Sequence, residues 1–203
     1  MSHPTEEELR ALRDELQGKL AGRRCVLLGV GNELRGDDAA GLRLARRLAA
    51  VLPCGQVPSP ARTDGTPTGE GTCGHERLPP CGQVPSPARV PIIHAGEVPE
   101  DYAVKVADLK PQVVLILDAA VMNLPPGSCR LLRAEDLPPC PGVTHRPSLE
   151  MFATFVRLDC GADTYVLGIQ PSMDHMALGD EMSPAVTAAM AALEPVLLEV
   201  LAR

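Results

Sequence analysis

Apolar positions recur with a helical period near the start of the chain, where Leu9, Leu12, Leu16 and Leu20 trace one stripe. Thr5 and Glu8 stand three apart ahead of it, the spacing of a capping box, which predicts a core-covering helix over residues 5–21. The period then changes. Cys25-Val26-Leu27-Leu28 is a short continuous apolar run behind the basic pair Arg23-Arg24, as in a strand buried on both faces of a parallel sheet. Helical spacing returns with Leu44, Leu48 and Val51, flanked by Leu42, Ala45, Ala49 and Leu52, while Arg43, Arg46 and Arg47 take the opposite side.

The second half repeats this alternation. A strand is predicted over 90–94, with Pro91 favouring an edge or a strand start, followed by a helix over 99–110 that turns Tyr102, Val106 and Leu109 inward. Gln112–Leu117 is the most hydrophobic strand and so the expected sheet centre. The turn Pro125-Pro126-Gly127 precedes a strand over 128–133, and Leu149, Phe152, Phe155 and Val156 face a core from a further helix. A last strand spans 164–169. Ser183 and Pro184 then open a final helix lined by Met190, Leu193, Leu197 and Leu201, which Pro195 should kink or interrupt. Five strands interleaved with helices describe an α/β fold.

Residues 53–89 break the pattern. The ten residues 53–62 recur letter for letter as 80–89, an offset of 27, and the stretch is rich in Pro, Gly, Ser and Thr with no periodic apolar face. Such a segment does not repay the entropy of ordering, so it reads as a disordered, duplicated insertion within a single domain spanning 1–203. Its Cys54, Cys73, His75 and Cys81 invite a zinc reading. Their spacing opposes it, because Cys73 and His75 are too close for the usual ligand pair and Cys54 and Cys81 are copies of one residue.

Composition narrows the partners. A formal charge of −7 and a pI near 5.2 disfavour nucleic-acid binding. The sequence reads as having no run of about 18 apolar residues, and its polar start lacks the apolar core of a signal peptide, so a soluble cytoplasmic protein without membrane insertion is expected. Seven cysteines at scattered spacings suit reduced thiols rather than a disulfide framework. Aromatic residues make up only 2%, which leaves the core to Leu, Val, Ile and Ala.

Candidate chemistry gathers at strand ends. Leu28-Gly29-Val30-Gly31-Asn32 makes a glycine-rich turn and leads to Asp37-Asp38 at a helix start. A phosphate loop keeps its helix N-terminus open to an anion, whereas two adjacent carboxylates there attract a cation or cap the helix. Asp37 suits an N-cap, which leaves Asp38 as the better site residue. Asp118 ends the central strand at the edge where open α/β sheets hold ligands, and His145 stands at a loop-to-helix junction. Two carboxylates and an imidazole suit a divalent metal of borderline character such as nickel, zinc or iron. Neither Gly-x-Ser-x-Gly nor His-Glu-x-x-His is present.

These motifs in this order resemble the hydrogenase maturation endopeptidases: Gly29-Val30-Gly31-Asn32 with Asp37-Asp38, then Leu117-Asp118-Ala119, Pro126-Gly127, Thr144-His145, and Leu167-Gly168-Ile169-Gln170-Pro171. The resemblance covers residues 23–52 and 90–203. It implies a three-layer α/β/α fold with a twisted, mostly parallel five-stranded sheet. It also implies an activity, removal of a C-terminal extension from the nickel-loaded precursor of a nickel–iron hydrogenase large subunit, by a monomer. Nickel would be carried by the substrate and contacted by Asp38, Asp118 and His145, with Gly29, Gly31 and Asn32 shaping the turn and Asp37 as a possible accessory. The chain departs from the family at His94-Ala95-Gly96, where members commonly read Asp-Gly-Gly; His94 is a further metal contact or a neutral replacement. A Rossmann-type nucleotide module and a non-catalytic, chaperone-like binder of the precursor are the competing readings.

Overall fold

The computed structural model describes residues 4–52, 90–137, 146–179 and 181–202. The duplicated insertion over 53–89 and its zinc reading, and the candidate ligand His145, fall outside them.

Five strands form one sheet: β1 (Cys25–Val30), β2 (Ile92–Gly96), β3 (Val113–Ala119), β4 (Cys129–Arg133) and β5 (Asp163–Ile169), in the order β2-β1-β3-β5-β4. All neighbours run parallel except β4, which lies antiparallel on β5. The continuous apolar run of 113–117 does take the centre, every residue of β3 being buried. Pro91 immediately precedes β2, an edge strand, where its missing N–H costs no ladder bond.

Helices α1 (Glu6–Leu20), α2 (Ala40–Val51) and α5 (Pro184–Leu201) close one face of the sheet around Leu16, Leu27, Leu44, Leu115 and Leu193. On the other face, α3 (Ala103–Asp108) and α4 (Arg146–Cys160) bury Val106 and Phe152 against Leu28, Ile93 and Ile116. The expected three layers are present. α1 starts on the predicted capping box, Thr5 and Glu8 exchanging side-chain bonds with each other's backbone amides at 2.8 and 3.2 Å.

Two expectations fail for one reason, that periodicity marks an apolar face without saying what covers it. Val51 is 62% exposed at the end of α2, and Phe155 is 38% exposed on α4, turned away from the stripe of Leu149, Phe152 and Val156. α5 is, among the described residues, one helix long and apolar enough to cross a membrane by length and composition. Here its apolar length serves the core: Val186, Met190, Leu193 and Leu197 are buried against the sheet and its neighbouring helices. Pro195 does not interrupt α5, which runs through it to Leu201.

The two phenylalanines should therefore differ sharply on truncation. Phe152→Ala is expected to lose about 3–5 kcal/mol in chemical denaturation, by lost burial and a residual cavity. Phe155→Ala should lose less than about 1.5 kcal/mol in the same measurement.

Candidate active site at the carboxyl edge of the sheet

The parallel strands β1 and β3 end side by side, and the turn after β1 is folded back over that edge. Gly31 adopts φ +131° and donates its amide to the Gly96 carbonyl at 3.0 Å, linking the ends of β1 and β2. A Cβ at Gly31 would overlap the backbone carbonyl oxygen of Asp38, so glycine is required by space as well as by conformation. Asn32 accepts the Leu34 amide on Oδ1 at 2.8 Å and donates its own amide to Asp38 Oδ2 at 3.2 Å. Gly31 and Asn32 thus hold the backbone of this turn against the sheet edge and Asp38. Gly29 lies under α2, where a Cβ would stand 2.5 Å from that of Ala45.

Asp37 and Asp38 sit in a 3-10 turn, Gly36–Ala39, that leads into α2. Asp37 is not an N-cap: the cap positions are Arg35 for the turn and Ala39 for α2, and neither makes a side-chain cap bond. Its carboxylate points instead toward the segment between β5 and α5. Oδ1 accepts the Ser183 amide at 2.7 Å, and Oδ2 accepts the Ser183 hydroxyl and the Ser172 amide at 2.8 Å each. Ser183 in turn accepts the Val186 amide and so caps α5 as expected, while held by Asp37. A fully buried carboxylate is tolerable only with such donors, because desolvation otherwise costs several kcal/mol.

Asp38 is 2% exposed and Asp118 5% exposed. Asp118 pairs in register with Gly168 of β5. The start of α2 is set against the end of β3 by Gly41, three residues beyond Asp38. A Cβ at Gly41 would overlap the backbone at Leu117 and Asp118, so α2 lies directly against the end of β3. A residue with any side chain there would push the turn and its carboxylates off the strand. The close approach had no periodic signature, and sequence reasoning missed Gly41.

Gln170 was quoted only as part of a motif, and the structure gives it a task. Buried at the end of β5, it accepts the Met122 and Leu124 amides on Oε1 at 2.6 and 3.3 Å, holding the loop that follows Asp118. A buried, uncharged amide at a strand end was the available signal.

Alternation along the strands separates the remaining candidates. Asp118 falls between Leu117 and Ala119, both on the α2 face, and therefore takes the α4 face with Val114 and Ile116. α4 begins at Arg146, directly after His145 in sequence. His94 falls between Ile93 and Ala95, both on the α4 face, and so lies on the α2 face, across the sheet from Asp118. Its Nε2 is buried with no hydrogen-bond partner among the described residues. Burial, and next the Arg46 guanidinium, hold this imidazole below its ordinary pKa, against weaker pulls from the Ala45 carbonyl and Glu33. Both the face and the shift suit a neutral residue. Among the described residues no group of three or more His, Cys, Asp or Glu side chains is placed to hold a metal ion.

Two buried carboxylates, Asp38 and Asp118, thus stand at the carboxyl edge of an open α/β sheet, the edge where proteins of this class hold their ligands. Comparison with known proteins makes this specific. The family model described as hydrogenase maturation protease, HycI, matches residues 81–200. The Hydrogenase 3 maturation protease of Escherichia coli strain K12 is 30% identical over 149 residues, covering 73% of each chain. The crystal structure of a [NiFe] hydrogenase maturation protease HycI from Thermococcus kodakarensis KOD1 superimposes with a TM-score of 0.68 at 25% identity, over 93% of this chain and 99% of that one. An Escherichia coli endopeptidase, HycI, solved in solution, gives 0.58 at 25% identity, over 84% and 86%. The chain belongs to the hydrogenase maturation protease family, and it is a peptidase. The β1 turn precedes the stretch matched by the family model and lies within the structural likeness, which covers 93% of this chain.

Two outcomes test this geometry. Asp37→Ala strands two backbone amides and a hydroxyl, so it should cost about 3 kcal/mol in denaturant unfolding, well above the roughly 1 kcal/mol of a lost N-cap. For His94 the sign is that of a base with a lowered folded pKa. Its contribution is complete above the unfolded value of about 6.5 and is lost as pH falls through that value toward the folded one. Melting temperature measured from pH 7.5 to 5.5 should therefore fall less steeply in His94→Gln than in the unsubstituted chain.

Proposed function

We propose that this peptidase removes the C-terminal extension from the nickel-loaded precursor of a nickel–iron hydrogenase large subunit, and that Asp38, Asp118 and His145 contact the substrate's nickel. The observation that carries the reading is the Gly41 contact, which sets α2 on the Leu117–Asp118 backbone and brings the turn bearing Asp38 to the strand end bearing Asp118. Two carboxylates and an imidazole are the donor set for a borderline divalent ion. An ion delivered by the substrate makes cleavage conditional on loading, since precursor without nickel offers the carboxylates nothing to neutralise them.

The same carboxylates serve the hydrolysis. With the ion beside the scissile peptide, its carbonyl is polarised, and Asp38 or Asp118 acts as general base on the attacking water. Asp37 is excluded from this duty because its oxygens are engaged by Ser172 and Ser183. The enzyme works as a cytoplasmic monomer on a protein substrate.

Asp38→Asn and Asp118→Asn should each abolish processing of nickel-loaded precursor, read by intact mass of the large subunit. The melting temperature should be retained or raised, because repulsion between neighbouring carboxylates is relieved. Processing that survives in both variants sinks the assignment. A binder that never shortens the precursor in the unsubstituted chain would be a chaperone instead. The isolated protein is also expected to hold nickel or zinc weakly, so stoichiometric metal that resists a chelator would speak for a resident ion.

A further inference from the structure

Single exposed apolar residues need no explanation, but a set held rigidly at the mouth of a site does. Leu34, Met173 and Leu178 are 67%, 63% and 73% exposed. They ride on two segments, the turn after β1 and the connection from β5 to α5, that are joined to each other. The Gly179 amide donates to the Leu34 carbonyl at 2.7 Å, Arg35 Nε donates to the Met176 carbonyl at 3.2 Å, and the Ser172 amide donates to Asp37 Oδ2 at 2.8 Å. Leu34 and Leu178 therefore flank one hydrogen bond, and Met173 follows the residue anchored by Asp37.

These bonds oppose the collapse that large apolar side chains on loose loops would otherwise undergo. They keep the two segments side by side at the carboxyl edge, with Leu34 four residues before Asp38 on the same turn. We infer that Leu34, Met173 and Leu178 form a docking face for apolar side chains of the precursor beside its scissile peptide, and this rests on the function proposed above. Continuity chooses this occupant: Leu34 lies on the turn that carries Asp38, and the Gly179–Leu34 and Ser172–Asp37 bonds join the segment of Met173 and Leu178 to it. The outward stripe of Met151, Phe155 and Leu158 on α4 is exposed as well and serves as a comparison surface.

The test uses the full chain and nickel-loaded precursor. Leu34→Ser and Leu178→Ser should each raise KM for processing on the order of tenfold, as expected for losing one buried apolar side chain, with kcat and melting temperature retained. Leu158→Ser should leave KM unchanged. Precursor binding is also read directly by interferometry in an Asp38→Asn background, where Leu34→Ser should weaken it by a similar factor. That arm separates the two ideas: loss of cleavage alone concerns the carboxylates, whereas unchanged binding concerns the face. Equal KM and equal binding across all variants would overturn the inference. So would a Leu34→Ser effect confined to self-association of the free chain in sedimentation, which would make a second copy the occupant.

Discussion

The turn that carries the candidate site depends on one buried carboxylate, Asp37. Asp37 accepts three hydrogen bonds from Ser172 and Ser183, and through them ties the turn after β1 to the segment that leads into α5. Those segments are distant in sequence, and their large apolar side chains, Leu34, Met173 and Leu178, are exposed rather than packed between them. A charged acceptor with three donors supplies the constraint that hydrophobic contact does not, because its desolvation is tolerable only while the donors stay in place. The neighbouring carboxylates differ in reach: Asp37 holds the distant segment, while Asp38 Oδ2 accepts the Asn32 amide within its own turn.

Around that bond the architecture works by close approach. Parallel strands place their ends on a common edge, and the helix that follows β1 must return across the sheet to reach the next strand. Gly41 lets this helix touch the backbone of β3, and Gly31 lets the turn pass over Asp38. Gln170 supports the loop beyond Asp118 from the neighbouring strand. Each contact removes freedom from a carboxylate's surroundings without touching the carboxylate itself, which is how a site on loops acquires the rigidity of the sheet below it.

The protein handles its polar groups at the edge and its apolar groups in two separate cores, one on each face of the sheet. This separation explains why His94 is divorced from Asp118. Strand alternation sends them to opposite faces, and no rearrangement short of a register shift would unite them. The chain keeps an imidazole there in an environment that favours its neutral form.

Much of this was legible in the order of residues. Five strands, their centre, the first helix with its capping box and the Ser183 cap of the last helix follow from periodicity and end signals, which depend on neighbours within a few positions. Asp38 and Asp118 draw notice in the sequence because each stands at a strand or helix end, and the fold buries both there. Three things were decided only in the folded chain. Phe155 and Val51 belong to apolar faces that find no cover, Pro195 is accommodated inside α5, and Asp37 bonds to serines over 130 residues away rather than to its own helix. Local pattern records what a residue prefers to bury or to bond. Which partner meets it is set by the crossing of α2 over the sheet and the return of the chain from β5, and those long-range contacts leave no periodic trace.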